Sequence, residues 1–163
     1  MIRSVLAASP YTKVFPNVAG AALPIYYFHS RVVLLGDAAH THGGPFATGG
    51  SLAIDDAYAL YLALLEVFPI TRATKPELWE LESALILHDS TRRPHITKLL
   101  NVVHAQNEAA TAALRNGHRD TDEQMREKIK KRHNTTWLHE HDVVAEFHKA
   151  LLQAQGDKDL AKL

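Results

Sequence analysis

The sequence predicts a mostly α-helical chain with a small β element, one strand–glycine loop–helix unit followed by a helical region. Three observations point there. Val32–Leu35 is a continuous apolar run with a β-branched start, the pattern of a buried strand. The next fifteen residues, "GDAAHTHGGPFATGG", hold five of the chain's eight glycines. From Leu52 onward, apolar residues recur at helical spacing almost to the C-terminus.

Residues 1–30 are punctuated by Pro10, Pro16 and Pro24, which predicts an irregular or short-stranded lead-in with Ile25–Phe28 extended. The strand that follows is bounded by Arg31 and Gly36. A lone buried strand needs neighbours. Either the lead-in supplies antiparallel ones, or the sheet continues in something outside the chain. After the loop, Ser51 is placed to cap a helix with Asp55 and Asp56 in its first turns, and Leu52, Leu60, Tyr61, Leu64 and Leu65 carry it to Pro69. "TKPE" (Thr74–Glu77) reads as a capping box opening the next helix. That helix should kink or break before Pro94, then run through Ile96, Leu99, Leu100, Val103 and Leu114 to Gly117. Residues 121–133 read as a charged, solvated helix. After a turn at Asn134–Thr136, Trp137–Gln155 reads as a last amphipathic helix closed by Gly156. Trp79, Trp137 and Tyr61 are expected as core or interface anchors. The chain divides into residues 1–70, with the loop and its helix, and a helical region 71–163, within one compact unit.

Composition excludes several classes. Eighteen basic residues balance eighteen acidic ones, so no global field favours nucleic acid or an acidic membrane. The basic run 126–132 lacks interleaved aromatics, and nucleic-acid binding is not expected. No apolar stretch approaches the roughly 18 residues that a membrane helix needs, and "MIRSVLAASPYTK" is too weak for a secretory signal. The absence of cysteine rules out disulfides and thiol catalysis, and suits a reducing, cytoplasmic setting. Ala161-Lys162-Leu163 resembles a peroxisomal address, which is the alternative location.

A strand, a glycine-rich turn and a helix start together aim backbone N–H groups and a positive helix end at an anionic or electron-rich ligand. Asp37, directly after the strand, is placed to accept hydrogen bonds from sugar-like hydroxyls. Glycine loops also make ordinary turns, so the residues alone leave both readings open. His40 and His42 suggest a metal only weakly, because no third ligand lies near them, and none is expected. Thr48 and Ser51 with His40 lack the G-x-S-x-G elbow of a hydrolase. Arg92 and Arg93 read either as binders of a phosphate or carboxylate or as helix-surface charges. His139, His141 and His148 read as solvated positions on the last helix.

"RVVLLGDAAH", the loop and then "AIDDAYAL" together resemble the second flavin-binding motif of the FAD-dependent aromatic hydroxylases. These are single-component flavoprotein monooxygenases that include the salicylate-hydroxylase-like enzymes of fungi. The likeness continues more weakly through "STRRPHITKLLNVVHAQN" and back to "PYTKVFPNVAG". It implies the C-terminal fragment of an α/β FAD-binding monooxygenase fold, with residues 1–70 a partial FAD-binding region and 71–163 the C-terminal helices. By resemblance, Gly36 and Asp37 would meet the ribityl chain of FAD, and Pro45 would lie beside the flavin ring. Gly49, Gly50 and Ser51 would present the helix start to its pyrimidine edge. Asp55 and Asp56 match the family's acidic pair. The whole enzyme would hydroxylate a small aromatic or polyketide-like molecule with NAD(P)H and oxygen.

The sequence departs from the family pattern at three places. Gly44 stands where the family's proline usually falls, Ala47 replaces the first glycine of the turn, and Ser51 replaces asparagine or glycine. No G-x-G-x-x-G occurs in the 163 residues, and the likeness covers about the last third of such an enzyme. Two other classes therefore stay in view. One is a derived protein without flavin redox chemistry, a cyclase or isomerase using His40, Asp37 or Asp55. The other is a non-catalytic subunit whose exposed strand pairs with a second copy or a complementing protein.

Overall fold

The computed structural model describes residues 2–9, 11, 13, 18–44, 46–117, 120–130 and 134–160. Pro45 and the Ala161–Leu163 tail, both singled out above, lie outside the described residues. The chain opens with a short helix, α1 (Ile2–Ala8), where an irregular lead-in was expected. Two strands follow, β1 (Tyr27–Phe28) and β2 (Val32–Val33), paired antiparallel with Tyr27 opposite Val33 and Phe28 opposite Val32. The hairpin turns through His29 (φ 48°) and Ser30 (φ 54°), the left-handed pair that matches the right-handed twist of its strands. The lead-in thus supplies the antiparallel neighbour. The expected buried strand over Val32–Leu35 is instead a two-residue edge with Val32 48% exposed, because no second layer covers it among the described residues.

Helix α2 (Asp37–His40) is one turn, and α3 (Gly49–Val67) follows the rest of the loop. Ser51 is the third residue of α3 and not its cap. Thr48 occupies that position, and the Ser51 hydroxyl donates back to the Thr48 carbonyl at 2.9 Å.

Helix α4 (Leu78–Arg115) is continuous, without the expected break at Pro94. Pro94 lies on the exposed side, as does Ser90, whose carbonyl the missing N–H would have bonded. The capping box at its start uses Glu77 and Glu80 and not Thr74 and Glu77, and Arg72 reaches Glu80 with two hydrogen bonds of 2.6 and 3.1 Å. Helix α5 (Asp122–Lys130) is solvated, and Thr121 and Gln124 cap it reciprocally. The expected last helix is two pieces, α6 (Thr136–His139) and α7 (Val143–Leu160). Asp142 divides them by accepting the Val144 and Ala145 N–H groups at 3.0 Å, while Gly156 lies inside α7.

Helices α3, α4 and α7 pack side by side around two apolar clusters. Tyr26, Ala39, Leu52, Ile96, Leu99, Leu100, Val103 and Leu138 pack beneath the glycine loop, and Ala63, Ala84, Leu87, Phe147 and Ala150 join the three helices further along. Trp79 (65% exposed) and Tyr61 (51%) are surface residues and not core anchors. Only Trp137 packs against the core, with the Lys98 ammonium 4.2 Å from its ring centroid.

The core account is testable by truncation. Leu99→Ala empties a fully buried site and should cost about 2–5 kcal/mol in denaturant unfolding. Leu114→Ala, at a position 80% exposed on the same helix, should stay within about 0.5 kcal/mol.

Candidate functional site

The loop is held from beneath by a single carboxylate. Asp56, 1% exposed on the inner face of α3, accepts three hydrogen bonds: the Gly36 N–H at 2.8 Å, His40 Nε2–H at 2.6 Å and Arg92 Nε–H at 2.8 Å. Those donors come from the strand end, from α2 and from α4. Arg92 has no exposure, and its remaining nitrogens reach His141 Nε2 (2.9 Å), the Leu52 carbonyl (3.5 Å) and Asp55 Oδ2 (3.8 Å). Of the two sequence readings of Arg92, the surface charge is thereby corrected and the carboxylate partner is the one found, since a buried guanidinium requires such partners. Arg93 pairs with Asp89 at 2.8 Å, and Asp89 also accepts the Tyr26 N–H at 2.9 Å, fixing the hairpin to α4.

Burial alone would raise the Asp56 pKa. Hydrogen bonds from His40, Arg92 and Gly36 outweigh it and hold the group at about 2. Around it lie three histidines held neutral mainly by burial, with Arg92 opposing their charging: His95, lowered to about 3, and His88 and His141, also lowered. Tyr26, buried near Asp56 and Asp89, is pushed up to about 12, and its hydroxyl has no hydrogen-bond partner.

Above this base the loop rises in a fixed shape. Gly36 has φ +55°, and a Cβ there would stand 3.1 Å from Ala53 Cβ, so glycine is required for the turn to close on α3. The Thr41 carbonyl accepts the Gly20 N–H at 2.6 Å, and His104 Nε2 donates to the Gly20 carbonyl at 3.0 Å, which clamps the lead-in below. His42 is 2% exposed; it donates from Nδ1 to the His40 carbonyl and accepts from the Thr48 hydroxyl, both at 3.4 Å. Ala47, where the resemblance puts a glycine, has φ +53°, the left-handed region that glycine favours.

The sequence-predicted residues divide by this geometry. Asp37, Gly49, Gly50 and Ser51 come together at the top. Asp37 and Ser51 are exposed, and a Cβ on Gly49 would meet His42 Cε1 at 3.6 Å and Asp37 Oδ1 at 4.0 Å. A Cβ on Gly50 would meet nothing within 4 Å. No side chain caps α3, because the Thr48 hydroxyl is turned to His42. Gly36 and His40 lie beneath the loop and face Asp56, whereas Asp55 is turned toward Arg92. His139 and His148 are exposed, whereas His141 precedes α7 and joins Arg92. Among the described residues no group of three or more His, Asp or Glu is arranged to hold a metal ion. Sequence reasoning missed Arg92 as the partner of Asp56. The available signal was that both fall on the buried stripes of their helices.

Residues 25–80, which span the hairpin, the loop and α3, match the protein family described as FAD binding domain. The chain is also similar to an FAD-dependent monooxygenase of Gibberella moniliformis, with 29% identity over 133 residues. The aligned part is 80% of this chain and 29% of that relative, so the chain spans under a third of the relative's length. No solved structure matches.

Removing the Asp56 charge should strand the buried Arg92. Asp56→Asn is expected to cost about 3–5 kcal/mol in denaturant unfolding, and Asp55→Asn no more than about 1 kcal/mol. Stability should also fall with acid in two stages. The unfolded chain takes up protons on His88, His95 and His141 as pH drops below 6.5 while the native forms resist. The Asp56 contribution, full above 3.8, is lost as pH falls toward 2. A thermal midpoint that stays level from pH 7 to 4 would contradict this.

Proposed function

We propose that the loop and the start of α3 form one half of an FAD site, in a chain acting as the C-terminal part of an FAD-dependent monooxygenase. The observation that carries this reading is the top of the loop: an uncapped helix start with the Asp37 carboxylate beside Gly49 and open space at Gly50. That donor and acceptor set fits a flavin. The first N–H groups of α3 suit an electron-rich ring edge, and an exposed carboxylate suits a hydroxylated chain. The match of residues 25–80 to an FAD binding domain supports it.

In this reading Asp37 accepts hydrogen bonds from the ribityl hydroxyls. The N–H groups of Gly49, Gly50 and Ser51 face the pyrimidine edge, where the helix dipole favours negative charge. Gly36 and His40 act from below by fixing the loop to Asp56. Bound FAD would supply the redox chemistry that inserts oxygen into a small aromatic or polyketide-like substrate, with NAD(P)H as reductant. The ADP-binding half would come from a unit bearing the G-x-G-x-x-G that these 163 residues do not contain.

Titration with FAD, followed by visible absorbance and flavin fluorescence, tests this. Saturable binding is expected, and Gly50→Leu should abolish it. The same substitution should leave the thermal midpoint equal or higher, because leucine suits a helix better than glycine by about 0.5–1 kcal/mol. A chain that ignores FAD at every concentration would overturn the proposal. A second reading, a non-catalytic subunit, is favoured by one observation: Ile54, Tyr58 and Tyr61 line the outer face of α3, 71%, 44% and 51% exposed, with no charge between them on that face. A tight dimer that binds no flavin would select it.

A further inference from the structure

We propose that Arg92 and His141 are positioning residues for the cofactor loop, with neutral His141 completing the bracket that holds Asp56 against Gly36 and His40. The inference rests on the flavin-site reading for its functional meaning, but its geometry stands apart from it. An arginine can only donate a hydrogen bond. The 2.9 Å contact between Arg92 Nη1 and His141 Nε2 therefore makes Nε2 an acceptor, so the ring is neutral with its proton on Nδ1.

Protonation at Nε2 would set an N–H and a positive charge against the guanidinium. The ring has little room to turn aside, because it stacks on His95 with centroids 3.7 Å apart and planes 20° apart. The guanidinium is the part that can turn, and it also carries the Nε–H bond to Asp56. Loosening that bond frees the carboxylate that anchors the Gly36 N–H and His40.

The surroundings of His141 set the sign. Arg92 and His95 face it from α4, Asp55 acts on it from α3, and Asp142 and Glu146 flank it on its own side. The three carboxylates favour its charge, while burial and Arg92 outweigh them. The protein should therefore hold the loop firmly at neutral pH and release it in mild acid, before Asp56 itself protonates. Such a device would tie the loop under the helix start to the protonation of a half-buried histidine just before α7.

Amide hydrogen exchange, read residue by residue at pH 7 and pH 5 and corrected for intrinsic rate, tests this in the wild type and in His141→Gln. Glutamine presents an oxygen to Arg92 at every pH and does not titrate. In the wild type, protection at Gly36 should fall by about tenfold or more toward pH 5, and by more than at the α4–α7 seam, whose amides lose only what global stability loses. His141→Gln should hold Gly36 protection level across the range. Arg92→Lys, which cannot span Asp56 and His141 together, should lower it at both pH values. Level protection in the wild type would overturn the proposal. So would a parallel fall in His141→Gln, or a uniform loss across the core. If FAD binds, its affinity should follow the same pattern. If FAD does not bind at any pH, the flavin reading fails and the exchange profile still decides this one.

Discussion

The structure around the loop depends on one buried ion pair, Asp56 with Arg92. Neither group tolerates burial alone: an uncompensated charge in a protein interior costs several kcal/mol, whereas a paired and fully hydrogen-bonded one is tolerated. Asp56 spends its acceptor capacity on three donors from three segments, and Arg92 spreads its donors over Asp56, Leu52, Asp55 and His141. Each bond is short in range, but together they tie the strand end, α2, α3, α4 and the start of α7 to one point. The apolar cluster beside it, from Tyr26 to Leu138, supplies burial without direction. The ion pair supplies the direction.

This explains why a glycine-rich loop can have a definite shape. Glycine gives the chain freedom that must be removed again if the loop is to present a surface. At Gly36 the freedom is used at once, for a positive φ and for contact with Ala53. Histidines 40 and 42, nearly fully buried, pin the middle of the loop to Asp56 and to Thr48. The hydroxyl of Thr48 is drawn inward by His42, so it does not cap α3. The uncapped helix start is thus a consequence of how the loop is pinned, and it is the feature on which the flavin reading rests.

Much of this was legible in the sequence, for identifiable reasons. The long helices followed from apolar periodicity, and the loop from its glycines. The partnership of Asp56 and Arg92 was also readable: Leu52, Asp56, Ala59 and Ala63 share one face, as do His88, Arg92, Ile96, Leu99 and Val103, and opposite charges on two buried faces call for each other. What could not be read locally was decided by tertiary contact. Pro94 does not break α4 because it falls on the exposed side. Ser51 loses the cap position to Thr48. The apolar run after Arg31 looked like a buried strand because hydrophobicity reports preference for cover and not the presence of it, and in this chain Val32 remains an exposed hairpin edge.

The central claim is that Asp56 and Arg92 act as one unit that shapes the loop. A double-mutant cycle measures that directly, comparing Asp56→Asn, Arg92→Gln and the double variant with the wild type by denaturant unfolding. The account predicts that the double variant is more stable than the sum of the single losses would allow, with a coupling of about 2 kcal/mol or more. Single effects that add to within about 0.5 kcal/mol would contradict it, because the two residues would then contribute independently.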